Sequence, residues 1–197
     1  MAKIKLTKNE LKHQKDDLKR FNRYLPTLQL KKQQLQFEIH SVEAKYRESS
    51  SAKEFIKEEI MKWVDVFGEE TGVETLIKFK KINTETGNIA GIEIPVFRDA
   101  EFEVISYDLF LTPLWVDRAV NKLIDIYRII AELKVLQKQL ELLREELRIT
   151  SQRVNLFEKV KIPEAMNNIR IIQIYMGDQQ TAAVVRGKIA KTKTAEV

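Results

Sequence analysis

"LKHQKDDLKRFNRYLPTLQLKKQQLQFEIHSVEAKY", residues 11–46, is the stretch that decides the fold. With Leu11 opening a heptad, alternating steps of three and four land on Leu11, Gln14, Leu18, Phe21, Leu25, Leu28, Lys32, Leu35, Ile39, Val42 and Tyr46. Nine of these eleven positions are apolar. An apolar row recurring every 3.5 residues draws a stripe along one side of a helix that only another helix can cover well. The frame continues more weakly through Ile56, Ile60, Trp63 and Phe67 and stops at Gly68 and Gly72. Pro26 interrupts it. Proline lacks a backbone donor and crowds the preceding turn, so a kink is expected there rather than an end.

The covering helix is present further along the chain. After Pro113, Val116, Ala119, Leu123, Ile126, Ile130 and Leu133 keep one frame, and Leu136, Leu140, Leu143, Leu147, Thr150, Val154 and Phe157 keep another. The change of frame between Leu133 and Leu136 is a phase slip that should perturb a supercoil. Beyond Pro163 the pattern resumes at Met166, Ile169 and Ile172 and fades at Gly177.

Between the runs the texture changes. Ile77 and Phe79, then Ile92, Ile94 and Val96, then Phe102 and Val104 alternate with polar or small residues at period two. Thr84–Asn88 (TETGN) reads as the turn of a hairpin, with Gly87 available for positive φ, and Pro95 should force an edge position or a bulge. The expected fold is mainly α: a long antiparallel two-helix coiled coil with a small insert containing a β-hairpin. Its parts are an N-terminal helix over 1–67, the insert over 68–113, a C-terminal helix over 114–176 and a mobile tail over 177–197. Matching the two runs places Leu11 near Arg170 and Leu18 near Pro163. At 1.5 Å per residue, each helix would span about 90 Å.

Composition supports this reading. Charged residues make up 32% of the 197, with only 6 Gly and 4 Pro, a balance nearer to long helices than to compact enzymes. With 0 Cys there is neither a disulfide framework nor thiolate chemistry, as suits a cytosolic protein. The charged opening, MAKIKLTKNELKHQKDDLKR, does not read as a signal peptide, and no apolar run reaches the roughly 20 residues a membrane span needs. The net charge of +5 is unevenly distributed: +7 over residues 1–32, +5 over 148–197 and −7 between them.

Catalytic chemistry finds no footing. The carboxylate pairs Asp16–Asp17, Glu58–Glu59, Glu69–Glu70 and Glu145–Glu146 are adjacent in sequence, so they do not converge on one helix face. His13 and His40 each lack a second ligand at metal spacing. Gly187–Lys188 has neither the earlier glycine nor the following Ser/Thr of a phosphate loop. No cofactor or metal is expected. Nucleic acid is a poor partner too, because the basic ends have few aromatics for stacking: of Phe21, Tyr24 and Phe157, the two phenylalanines belong to the apolar rows. The stretch Arg148–Pro163 instead loads charge onto a helix that should be sealing a core, and reads as a surface kept for a partner.

Two motifs, "GNIAGIEIPVF" (87–97) and "RVNLFEKVKIP" (153–163), together with the opening "LTKNELKHQKDDLK", resemble the D subunits of the V-type and A-type rotary ATPases, the bacterial branch in particular. The similarity runs from about residue 4 to 176. The resemblance implies a central-stalk rotor shaft that couples ATP hydrolysis or synthesis in a ring of A and B subunits to ion translocation through the membrane rotor. It implies further contacts with the F subunit and a membrane-rotor adaptor, a cytoplasmic location peripheral to the membrane, and no catalysis by the chain alone. Asn88, Gly91, Pro95 and Phe97 carry the signature of the insert. Arg148, Arg153, Asn155, Glu158, Lys159 and Lys161 are the candidate contacts to the A/B ring. A non-rotary coiled-coil scaffold or tether is the alternative; it would need neither the charge asymmetry nor the insert signature.

Overall fold

The computed structural model describes residues 4–62, 73–108, 112–113 and 115–195. In chain order the elements are helix α1 (Lys8–Met61), a 3₁₀ turn (Val73–Leu76), strands β1 (Ile77–Ile89) and β2 (Ile92–Val104), helix α2 (Trp115–Leu156), a π turn (Phe157–Lys161) and helix α3 (Ile162–Ala195). They divide into two units, residues 33–148 and residues 1–32 with 149–197. The expected end of the first run at Trp63, Phe67, Gly68 and Gly72 lies outside the described residues.

All eleven heptad positions from Leu11 to Tyr46 are buried or half-buried. In the unit 33–148, Leu35, Ile39 and Val42 of α1 pack with Leu136, Leu140 and Leu143 of α2. Burial of side chains this size stabilises by about 1.5–3 kcal/mol each. Ion pairs along the same two helices, Arg144 to Glu43 at 2.7 Å and Lys122 to Glu59 at 2.7 Å, show that they run antiparallel. Helix α2 opens where Pro113 ends the preceding segment, and the Val116 N–H donates to the Pro113 carbonyl at 3.0 Å.

The hairpin belongs to this unit. A two-stranded ribbon is marginal alone, and here it lies against α2. Ile77 at its base joins Val116, Ala119 and Val120 in a second cluster, and Ile89, Ala90 and Ile92 at its tip join the Leu35–Leu143 cluster. Between them Phe102 stacks on Tyr127 at 6.4 Å, Arg128 pairs with Asp99 at 3.2 Å, and Gln139 donates to the Pro95 carbonyl at 2.5 Å. This explains the change of frame near Leu133. Ala131, Leu133, Val135 and Gln139 are all buried because α2 is covered on two sides here, by α1 and by the hairpin.

The turn is not at Thr84–Asn88. Those residues continue β1, and Thr84 pairs with Phe97 while Gly87 pairs with Ile94. The chain reverses through Ala90 and Gly91, whose φ values of 52° and 81° match a two-residue loop of the type whose twist suits a hairpin. Asn88 signalled the turn correctly, but as its brace: Asn88 Oδ1 accepts the Gly91 N–H at 3.0 Å. Gly87 has another duty. A Cβ built on it would stand 2.7 Å from Val96 Cγ2, so its hydrogen permits close approach across the ribbon. Pro95 sits opposite Thr86, tolerated because both strands of a two-stranded sheet are edges. The register shifts fall elsewhere, at Phe79/Lys81 and Asn83/Thr84.

In the other unit α1 starts at an N-cap threonine: the Glu10 N–H donates to Thr7 Oγ1 at 3.3 Å. Gln14 meets Asn168, with Nδ2 of the latter donating to Oε1 of the former at 3.3 Å, and Phe21 meets Phe157 with ring centroids 5.3 Å apart. These pairs are antiparallel and lie close to the expected register.

Two expectations need correction in this unit. Of the row expected after Pro163, Ile172 is buried at 0% exposed and Ile169 is half-buried, but Met166 is 57% exposed, and Ala165 and Asn168, 3% and 8% exposed, are buried instead. The π turn takes up one extra residue, so the buried row lies one residue beyond the one an unbroken heptad would reach, which puts Ala165 and Ile172 inside. The apolar pattern also fades at Gly177 without ending the helix, for α3 runs on to Ala195. That segment has no proline, and its Ala, Gln, Arg and Lys favour helix against one Gly and several Val and Thr.

Candidate partner-binding site

The stretch 148–163 shows which of its residues hold the fold. Thr150 and Val154 are buried, 1% and 4% exposed, and Phe157 is half-buried on Phe21. Arg148, Arg153, Asn155, Glu158, Lys159 and Lys161 are all exposed. Arg148 is committed locally: its guanidinium grips Glu145 with Nε at 2.9 Å and Nη2 at 2.6 Å. That bidentate hydrogen bond holds the Glu145 carboxyl below its usual range and raises Arg148. Lys161 reaches Glu164 at 3.5 Å.

Arg153 and Lys159 make no ion pair among the described residues. They do not form one patch with Asn155, because residues two apart on a helix face different ways. Asn155 and Lys159, four apart, share a side, and Arg153 points elsewhere.

Two further residues here fall outside the sequence expectation. Leu156 and Val160, four apart, are 45% and 48% exposed. Their signal was available, as apolar side chains outside the heptad row. Pro163 shapes the same place. In a regular helix its ring would crowd the carbonyl of Lys159. The chain widens instead, with the Ile162 N–H donating to the Phe157 carbonyl. Since proline has no N–H, Glu158 is left with neither of its two helical donors, Ile162 or Pro163. Beside this turn an open cleft of about 910 Å³ is lined by Lys5, Glu10, Gln14, Lys159, Pro163 and Asn168.

The four residues singled out in the insert hold structural places. Asn88 braces the turn, Gly91 supplies positive φ, the Pro95 carbonyl receives Gln139, and Phe97 is half-buried opposite Thr84.

Among the described residues no group of His, Cys, Asp or Glu could hold a metal ion, and no helix is long and apolar enough to cross a membrane. An antiparallel helix pair with a β-hairpin packed on its second helix, and basic side chains exposed along a helix, defines a mainly helical protein of the antiparallel coiled-coil class.

Residues 10–192 match the family model of the ATP synthase D subunit, and the chain belongs to that family. It is similar to the V-type ATP synthase D subunit of Borreliella burgdorferi, 55% identical over 192 residues that cover 98% of this chain and 95% of the relative. The V-type ATP synthase D subunit of Chlamydia caviae is 37% identical over 197 residues, covering 98% and 94%. That of Chlamydia pneumoniae is 35% identical over 199 residues, covering 98% and 93%.

Proposed function

We propose that this chain is the central-stalk rotor shaft of a V/A-type rotary ATPase, coupling ATP hydrolysis or synthesis in an A/B ring to ion translocation through a membrane rotor. The supporting observation is the antiparallel helix pair whose unit of residues 1–32 and 149–197 is basic and leaves Arg153 and Lys159 exposed. A shaft that is gripped and released at each step wants contacts of modest strength, and exposed charges supply them. Contacts that differ among the ring's interfaces would shift the populations of open and closed states, which is how rotation and nucleotide affinity would be linked. On this reading the basic unit meets the A and B subunits, with Arg148 at its margin. The F subunit and the membrane-rotor adaptor bind the unit 33–148, and the chain is cytoplasmic and peripheral to the membrane. It has no catalytic residue of its own.

The test is reconstitution with purified A and B subunits. The chain should co-assemble with the ring and change its ATPase rate, and alone or with the F subunit it should neither hydrolyse ATP nor bind it at micromolar concentration. A chain that fails to enter the ring is a tether or scaffold instead.

A further inference from the structure

The sequence after Pro163 contains two overlapping apolar rows, and the π turn selects between them. The row packed in the structure is Ala165, Asn168, Ile172 and Met176: the first three are buried and Met176 is half-buried. The row that an uninterrupted heptad would continue from Thr150, Val154 and Phe157 is Lys161, Glu164, Asn168, Ile171 and Tyr175. Ile171 and Tyr175 are 44% and 40% exposed, large apolar side chains that α1 leaves uncovered. Asn168 belongs to both rows and holds Gln14 in the seam. One residue of phase separates them, about 100° of rotation about the helix axis.

We propose that the π turn Phe157–Lys161 is a rotary joint. In one state it holds its extra residue and presents Ile172 to α1. In the other it relaxes into regular helix and turns α3 so that Ile171 and Tyr175 are presented instead. Three features make the two states close in energy. Pro163 deprives the helix of a donor in either geometry, orphaning the carbonyl of Glu158 in the π turn and that of Lys159 in the regular helix, so the π turn carries less than its usual penalty. The packed row supplies Ile172 and Met176 with Ile169 half-buried beside them, and the other row supplies Ile171 and Tyr175, so α1 is offered apolar surface in either state. Asn168 lies on the boundary of both rows and can keep Gln14 as partner through the rotation. The packed row wins in the isolated chain because the other carries Lys161 and Glu164 towards α1. π turns occur often at functional sites, and packed interfaces are bistable rather than continuously deformable. A ligand or partner that binds one presented face better would move the joint by that difference in affinity.

The chain has 0 Cys, so paired cysteines report each state cleanly. Leu11, one heptad step before Gln14, is the α1 position opposite residues 171 and 172. In the full-length chain, Leu11→Cys with Ile172→Cys and Leu11→Cys with Ile171→Cys are oxidised and the disulfide yield of each is read. Both pairs should cross-link, the Ile172 pair more. Deleting Val160 removes the extra residue and fixes the packed row in regular helix, so the Ile171 pair should lose its cross-link while the Ile172 pair keeps it, which also proves folding. Pro163→Ala, which relieves the crowding of regular helix, should raise the Ile171 yield. The proposal is overturned if the Ile171 pair never cross-links in the native background. It is overturned equally if deletion of Val160 leaves the Ile171 yield unchanged, since that is general looseness rather than a joint. None of these readings depends on the ring.

Discussion

Two glycines in the hairpin do different work, and substitution separates them. Gly91 has open space around its missing Cβ but a φ of 81°, so Gly91→Ala should cost about 1 kcal/mol through backbone conformation alone. Gly87 is constrained by Val96, whose branched side chain has little freedom to retreat, so Gly87→Ala should cost about 1–3 kcal/mol through overpacking. Val96→Ala should then recover most of the loss at Gly87 and none of that at Gly91, read as melting temperature in a double-mutant cycle. Equal rescue at both sites would show that the ribbon is simply soft. The same residues mark what the sequence could tell. Asn88 and Gly91 were visible as special positions, but TETGN offered a stronger composition for a turn than IAGI. Only the pairing of both strands reveals that a tight turn there would have left Ile89 and Ile92 without partners in the core.

At the scale of elements, the α1 heptads were fully legible because a single partner face imposes a single period. Helix α2 was less so, since two covering elements superimpose two rows, and the phase slip was in truth a second buried side. A consequence follows for stability. Ile94 is 1% exposed and Leu143 0%, one on the hairpin and one on the helix pair. Ile94→Ala should therefore destabilise by about 2–5 kcal/mol, comparable with Leu143→Ala. A loss near zero at Ile94, with the full loss at Leu143, would show the hairpin to be a detachable appendage.

The pairing of α1 with α2 should also be pH-dependent. A hydrogen bond from Arg144 lowers the Glu43 carboxyl, and one from Lys122 lowers that of Glu59. Within the hairpin the amide of Asn83 lowers Glu101. A carboxyl lowered in the folded state adds stability above its ordinary value of about 4.5, and that stability is lost as pH falls through the folded value. Melting temperature should therefore be flat from neutrality down to about 4.5 and fall below it, and Glu43→Gln should make the acid limb shallower. An unchanged acid limb in Glu43→Gln would assign the effect to other groups.

At the scale of the whole molecule the division of charge follows the division into units. Residues 1–32 carry +7 and residues 149–197 carry +4, so their unit stands at +11, and residues 33–148 stand at −6. Arg153 and Lys159 are the part of that excess left unpaired in the stretch where the sequence first suggested a partner. Exposed charges contribute about 0–1 kcal/mol to folding, so Arg153→Ala with Lys159→Ala should leave the melting curve nearly unchanged. The same change should weaken retention in an A/B ring and lower the ATPase rate that depends on the chain. The defect should be largest at low ionic strength, because the screening length grows from about 8 Å at physiological salt to about 30 Å at 0.01 M. Glu145 is unsuited as a control, since its loss would release Arg148. Lys138→Ala with Glu141→Ala removes an exposed pair at 2.7 Å without altering net charge, and should leave ring binding intact. A further variant, Leu156→Ser with Val160→Ser, separates charge from apolar contact: it should weaken retention by an amount that salt does not change. Should the Arg153/Lys159 defect also prove independent of salt, the basic excess does not act as an electrostatic grip. Should the double substitution instead collapse the melting curve while ring binding holds, those two side chains support the helix pair and serve no partner.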